Sequence, residues 1–450
     1  MPRSATSERR AKPLSGFTQI ILATIVAGIA GYVVTWFVPR VIGGGDYKVF
    51  AVFWAAMYLV VGALSGIQQE VTRGSREKIP GGPASGPARA SHARNFGLAA
   101  AAAVVVLILA TAPMWVHAVF PELGWQLVLP LAFGTASYVL VATLSGTLYG
   151  LTEWGSIALL IVTDGLLRLI AVVIVAVFTH SVVALAWAAA CPFILALPLL
   201  WLRIRPAVVG RIELDVGFRR LSWNVGRTVG ASVSAAALVS GFPLLLSLTS
   251  PHDAPAVLAS LFLAITLTRA PLIVSVTALQ GYLLVRFRDH PLAFRRTFLQ
   301  IIAVIVGGAA VLSALAFWLA PAVFALLFPG EPGIGAGFFA VLVGSSALVA
   351  ALSVTAAAVL ARAQHAAYSI GWFVAAAATI LTLLTNFDLV TRTGLSLVAG
   401  PVCGLLVHAV FLAIPARKDV GTSESGTSES GTSEVGTTEV GPEGAAGEYR

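Results

Sequence analysis

The sequence predicts an all-α integral membrane protein of about 12 transmembrane helices, built as two six-helix lobes with both termini in the cytoplasm. Three observations predict it. Of 450 residues, 58% are hydrophobic and only 11% are charged, whereas a soluble domain carries roughly 25% charged residues. Apolar runs recur along the chain, each of the roughly 20 residues needed to cross a hydrocarbon core about 30 Å thick. The basic residues then sort by side. Of the 28 Lys and Arg, 23 fall in segments that alternate helices would leave on the cytoplasmic face, three on the opposite face and two inside helices. One miscounted helix would invert every loop after it, so this bias supports the whole topology.

Residues 1–14 form a basic N-terminus with Arg3, Arg9, Arg10 and Lys12. The apolar run that follows, 15–39, is long for a signal peptide. Pro39-Arg40 does not resemble a small-residue cleavage site, so the run reads as an uncleaved first helix. The next spans are expected at 48–69, 95–118, 125–149, 156–179 and 182–203, and close a first lobe over 15–203. Residues 204–223 are a basic cytoplasmic connector. The second lobe, 224–415, holds spans at 224–250, 254–285, 297–320, 336–362, 366–388 and 392–415. Six helices per lobe give both halves the same orientation, so the repeat would be parallel, about an axis along the membrane normal. Gly28 matches Gly241 and Ser156-Ile157 matches Ser369-Ile370 at one common offset, which is thin support. Gly-x-x-x-Gly pairs at Gly62/Gly66, Gly146/Gly150, Gly226/Gly230 and Gly400/Gly404 allow close helix packing. Residues 416–450 are a polar tail in which Gly-Thr-Ser-Glu-Ser repeats from Gly421. It has almost nothing to bury and is expected to be disordered.

The basic loops suit attraction to anionic headgroups of the surrounding membrane lipids. Nucleic-acid binding is excluded, since no soluble domain interleaves aromatics with those charges. Cys191 and Cys403 sit in apolar stretches as small buried side chains. No phosphate-binding Gly-x-x-x-x-Gly-Lys-[Ser/Thr] loop occurs, nor His-Glu-x-x-His or paired-cysteine metal spacing. The longest outer loop expected, about 321–336 around Pro329-Gly330-Glu331, leaves no room for a catalytic domain. The chain therefore reads as no enzyme and as needing no cofactor or metal. A coupling ion, H⁺ or Na⁺, is the small partner a transport cycle would use.

Ionisable groups at membrane depth are costly and usually face a bundle interior or a wet cavity. Asp164 and Arg168 lie four residues apart in the fifth span and share one helix face. Either they neutralise each other as an internal pair, or Arg168 lines a cavity while Asp164 holds it or titrates. Arg269 sits near the middle of the eighth span in Thr268-Arg269-Ala270-Pro271, with no acidic residue within a turn. Pro271 removes a backbone donor and disturbs the preceding turn. An unpaired arginine there suits an anionic ligand between the lobes, since arginine binds phosphate bidentately and keeps its charge. Pairing with Asp164 across the lobes is the rival. Gln69, Glu70 and Arg73, with Gln68, cluster at the inner end of the second span, and Gln280 takes a similar place on the eighth. They form either an inner gate or ordinary interfacial groups. Glu153-Trp154 reads as an interface anchor, and His408 as a hydrogen-bonded core histidine.

These residues carry a resemblance. Gly43-Gly44-Gly45-Asp46-Tyr47-Lys48-Val49-Phe50 and Gln68-Gln69-Glu70-Val71-Thr72-Arg73 resemble the opening and close of the second helix in polysaccharide flippases of the multidrug/oligosaccharidyl-lipid/polysaccharide (MOP) flippase superfamily. The stretch Leu144-Ser145-Gly146-Thr147-Leu148-Tyr149-Gly150, leading to Leu166-Leu167-Arg168-Leu169, is similar to their helix 4–5 segment. Arg269-Ala270-Pro271-Leu272 with Gln280 resembles their helix 8. The resemblance spans residues 15–415. It implies two lobes around a central cavity, alternating access in the cytoplasmic membrane, and a lipid-linked oligosaccharide or polysaccharide precursor as substrate. Arg168 and Arg269 would hold its phosphate. Fewer helices than the lipid II flippases possess point away from those transporters' substrate. Two alternatives stay open: a cation-coupled multidrug antiporter of the MATE type, with Asp164 as its titrating carboxylate, and a scaffold for cell-envelope synthesis whose tail recruits glycosyltransferases.

Overall fold

The computed structural model describes residues 16–77, 93–209, 211–214, 217–268, 287, 294–362 and 364–413. Residues 415–450, which carry the repeats, lie outside the described residues. The described residues are nearly all helical, in the order α1 (Gly16–Gly74), β1 (Ser75–Glu77), α2 (Ala93–Val119), α3 (Trp125–Gly150), α4 (Trp154–Phe178), α5 (Val182–Ala190), α6 (Pro192–Val208), β2 (Ile212–Leu214), α7 (Phe218–Val239), α8 (Phe242–Thr249), α9 (Pro255–Thr268), α10 (Phe294–Leu327), α11 (Ala336–Ala361), α12 (His365–Leu383) and α13 (Leu389–Ala413). Among the described residues, nine helices are long and apolar enough to cross a membrane, or ten if the bent pair α7–α8 is counted as one span. The chain is a multi-pass membrane protein.

The spans expected at 15–39 and 48–69 are not parted by a loop. Helix runs through them from Gly16 to Gly74 with one interruption, Gly43 at φ 78°, ψ 166°. Only glycine occupies that region without strain. A straight helix of 59 residues would be about 88 Å long at 1.5 Å per residue, far beyond the bilayer. The chain instead doubles back at Gly43, because Gly28 and Tyr58 line the same cavities. The 182–203 span holds as one apolar run, Val182–Val208, longer at its far end than expected. It divides at Cys191, where Pro192 supplies no N–H, and continues as α6 to Val208, into the expected connector. The 224–250 span starts six residues early, at Phe218, and bends by 72° between α7 and α8, at Ser240-Gly241 ahead of Pro243. Pro321 does not end α10, which runs on to Leu327 and shortens the loop expected over 321–336. The last span begins at Leu389, three residues early, because Asp388 accepts a hydrogen bond from the Thr391 amide at 3.0 Å. The Thr391 side chain and amide together hold the Asp388 carboxyl below its usual range.

The expected connector is not a free loop. β2 pairs antiparallel with β1, Ser75 opposite Leu214 and Glu77 opposite Ile212. Arg211 reaches Glu153 at 3.1 Å. Strap and ion pair tie the connector to the ends of α1 and α3. Three-residue strands carry no readable alternation, and sequence periodicity missed them.

α1 packs on α3, α4 and α7. α2 lies on α3, α10 on α11, and α12 on α13. α3 and α11 are enclosed nearly all round, whereas Phe324 alone is buried in α10, whose apolar surface is left for lipid. Three of the four glycine pairs stand at close contacts. A methyl group on Gly62 would lie 2.9 Å from Ala236 Cβ, and one on Gly66 2.9 Å from the Val229 nitrogen, so α1 meets α7 there. Gly146 and Gly150 receive the end of α1 and β1, and Gly400 and Gly404 receive α12. Gly226 and Gly230 meet nothing within 4 Å among the described residues, so the packing expected of that pair is not seen. His408 is fully buried, its Nδ1 2.8 Å from the Thr355 hydroxyl. Cys191 and Cys403 are free thiols.

Candidate functional site

Two cavities lie between the arms of α1 and the helices around them. The first, about 350 Å³, is walled by α1, α3, α4 and α6, and contains Asp164, Arg168, Tyr58, Tyr138, Gln68 and Ser145 on its lining. The second, about 320 Å³, extends from α1 to α7, α8 and α9, with Tyr32, Tyr47, Phe50, Ser240 and Thr266 on its walls. Gly28, Gly31, Trp54 and Tyr58 line both, so the two adjoin along α1. Their width comes partly from missing side chains: a methyl group on Gly28 or Gly31 would meet nothing within 4 Å.

Arg168 and Asp164 are brought together as their spacing predicts. Arg168 Nη2 donates to both Asp164 oxygens, at 2.7 and 2.9 Å. The rest of the guanidinium is used as well. Nε donates to the Ala189 carbonyl of α5 at 3.1 Å, and Nη1 donates to the Tyr58 hydroxyl of α1. The guanidinium carbon lies 4.2 Å from the centre of the Phe193 ring of α6, close enough for a cation–π contact. One side chain thus joins four helices. It is the more enclosed partner, with 8% of its side chain exposed against 19% for Asp164.

Arg269 and Gln280 lie outside the described residues, and with them the expectation that Arg269 faces Arg168 or pairs with Asp164. Gln69 is exposed on α1 and away from the cavity wall; Gln68, its neighbour, is the residue that lines it. Glu70 binds Arg73 at 2.7 Å and accepts a hydrogen bond from the Thr228 hydroxyl of α7 at 2.8 Å. Beside it Gly62 and Gly66 press on α7, so Glu70 and these glycines connect α1 with α7. At the Gly43 end, Glu331 of the α10–α11 loop approaches Gly44 and accepts a hydrogen bond from Ser260 of α9 at 3.3 Å. Arg392 of α13 holds Asp253 at 2.5 Å and Ser250 at 2.9 Å there. Among the described residues, no group of three or more His, Cys, Asp or Glu is placed to hold a metal ion.

Sequence reasoning missed the aromatic wall. Tyr47, Phe50, Trp54 and Tyr58 recur at three- and four-residue steps, a spacing that places them on one face of a helix. Their ring centres follow one another at 6.5, 5.8 and 5.0 Å.

Comparison with known proteins places this geometry. No protein-family model matches the chain. The uncharacterized proteins Rv3630 and Rv1510 of Mycobacterium tuberculosis are 33% and 32% identical to it over 396 residues, covering 87% of this chain and 90% of theirs. The chain belongs to their family. A member from Mycobacterium bovis, the uncharacterized protein Mb3654, matches at 33% over the same length. Among solved structures, the fold of this chain is similar to an outward-facing multidrug resistance MATE family transporter of the MOP superfamily. The TM-score is 0.60, with 15% identity over 89% of this chain and 95% of that one. An inward-facing MATE family transporter matches with a TM-score of 0.58 and 13% identity, over 88% of this chain and 96% of that one. The eukaryotic MATE transporter AtDTX14 matches with 0.56 and 13%, over 89% and 95%. At these identities the likeness is one of fold, and the fold is MATE-like.

Proposed function

We propose that this protein is a transporter, not an enzyme, that moves a lipid-linked oligosaccharide or polysaccharide precursor across the cytoplasmic membrane by alternating access. Its body would be 12 helices in two lobes, with α1 counted as two spans and α9 as the start of another. Both termini and the strand end would lie in the cytoplasm, as the bias of basic residues indicates.

The observation that carries this reading is the character of the adjoining cavities at the centre of a MATE-like fold. Apart from the Asp164–Arg168 pair, whose charges cancel, their described lining is aromatic rings, hydroxyls, amide and aliphatic groups. Such a wall offers flat rings and hydroxyl partners to a large, uncharged, hydroxyl-rich headgroup. The substrate's phosphate would be met by Arg269.

The test uses the open glycines. Gly31→Leu adds bulk where both cavities share a wall, at a position where a methyl group meets nothing within 4 Å. In proteoliposomes it should abolish translocation of a fluorescent lipid-linked oligosaccharide while the thermal unfolding midpoint in detergent stays near that of wild type. Translocation unaffected by Gly31→Leu would remove the cavity from the path.

One observation favours a second reading. The Asp164 carboxylate is the exposed half of its pair, and a cation-coupled antiporter of the MATE type would titrate it. Uptake of a lipid-free cationic dye, driven by an H⁺ or Na⁺ gradient and lost in Asp164→Asn, would select that reading.

A further inference from the structure

We infer that Tyr58 and Asp164 form a recognition site for two neighbouring hydroxyls on one sugar ring of the transported headgroup, an inference that rests on the saccharide reading above. Arg168 sets the site up. All three of its nitrogens have protein partners: Nε the Ala189 carbonyl, Nη1 the Tyr58 hydroxyl and Nη2 both oxygens of Asp164. A guanidinium so engaged has little left for a phosphate, but it decides what its partners can offer. The Tyr58 oxygen accepts from Nη1, which leaves the phenol to donate its own proton, and among the described residues that proton has no acceptor. Nη2 takes one lone-pair direction on each Asp164 oxygen. A carboxylate has about four such directions, so about two remain for a ligand. Nη1 and Nη2 are bonded to one carbon in one plane, so a free donor and free acceptors are held side by side.

Both residues are on the lining of the cavity of about 350 Å³, and Gln68, Tyr138 and Ser145 line it with them. Among the described residues, the Gln68 amide and the Tyr138 and Ser145 hydroxyls have no hydrogen-bond partner, although Ser145 is only 8% exposed. Polar groups enclosed in this way need partners, and the cavity is where they find them. The chemistry of the Tyr58–Asp164 corner then chooses the ligand class. An ammonium group only donates, and leaves the Tyr58 proton without an acceptor. A phosphate only accepts, and would set its charge against the Asp164 carboxylate. A hydroxyl does both at once. Two hydroxyls on adjacent ring carbons can donate to the two carboxylate oxygens while one of them accepts from Tyr58.

The experiment reconstitutes the full chain in liposomes with fluorescent pyrophosphate lipids that carry glucose, galactose or mannose, and with analogues in which one ring hydroxyl is replaced by hydrogen. In the wild type, loss of either hydroxyl of one adjacent pair should slow translocation about tenfold, the worth of a hydrogen bond to a charged or enclosed partner. Loss of any other hydroxyl should do far less. Tyr58→Phe removes the donor and keeps the ring. It should slow the complete sugar by a similar factor, and the hydroxyl that Tyr58 serves should then be removable at no further loss. Asp164→Asn should do the same for the hydroxyls it serves. Because it leaves Arg168 buried without its counter-charge, Tyr58→Phe decides alone if thermal unfolding in detergent shows that Asp164→Asn has lost its fold. Losses that multiply in Tyr58→Phe, or a wild type indifferent to every missing hydroxyl, would overturn the hydroxyl site and leave the transport reading intact. A wild-type protein that carries none of the three sugars, yet moves a cationic dye, would overturn both.

Discussion

At the scale of single residues, the Asp164–Arg168 pair shows how spacing and surroundings divide the information. The i, i+4 relation on an apolar helix made the pair legible. What fills the rest of the guanidinium was not, because Tyr58 is 110 residues away in sequence and the Ala189 carbonyl is 21 away. No local pattern announces a backbone carbonyl arriving from another helix. The energetic consequence can be checked. Removing one member leaves the other buried and uncompensated, which costs about 3–5 kcal/mol, while replacing both with apolar groups can cost little. Asp164→Leu and Arg168→Met should each lower the unfolding midpoint in detergent strongly, and the double variant should unfold at a higher temperature than either single one. If the three losses simply add, the two side chains are not acting as a pair.

At the scale of elements, hydropathy located the apolar runs but not the joints between them. The spans at 125–149 and 336–362 were readable to within a residue, since their ends coincide with ends of apolar sequence. The run of helix through Gly43 was not readable, because a Gly-Gly-Gly-Asp stretch reads as a loop and here only one residue leaves helical geometry. Breaks at Pro192 and Gly241 had their signals in the sequence, but runs of unbroken hydropathy concealed them. The tight reversal at Gly43 carries its own prediction. An L side chain at φ 78°, ψ 166° is strained by about 1–3 kcal/mol, so Gly43→Ala should destabilise the protein by that amount. Gly45→Ala, two residues on, has neither positive φ nor a neighbour within 4 Å. It should be neutral or mildly stabilising, through loss of glycine's conformational freedom in the unfolded chain. Comparable unfolding midpoints for the two variants would mean that the turn relaxes to accept a side chain.

At the scale of the whole molecule, the question is which contacts must part for the cavities to open at the strand end. The seam between α1 and α7 is where they would part. Gly62 and Gly66 bring α7 within van der Waals range of α1, and Glu70 receives the Thr228 hydroxyl just beyond them. Small residues give such a seam close contact without interlocked side chains, so it can separate along its length. The Gly62/Gly66 pair and Glu70 were visible as candidates in the sequence. Their meeting with α7 was not, since α7 carries no complementary pattern and its own glycine pair faces elsewhere. A wedge in the seam should bias the protein toward the state open at the strand end, because it clashes only when the seam is shut. With Cys191 and Cys403 replaced by alanine, Ser145→Cys places a thiol on the cavity wall beside Gln68. Adding Gly66→Leu should then speed its labelling by a membrane-impermeant maleimide applied from the side of the strand end. Labelling from the opposite side should slow in step, since one cavity cannot be open at both ends in an alternating cycle. If both rates stay fixed while the unfolding midpoint falls, the seam is permanent packing, and the opening must be sought at the Glu331–Ser260 contact near Gly43 instead.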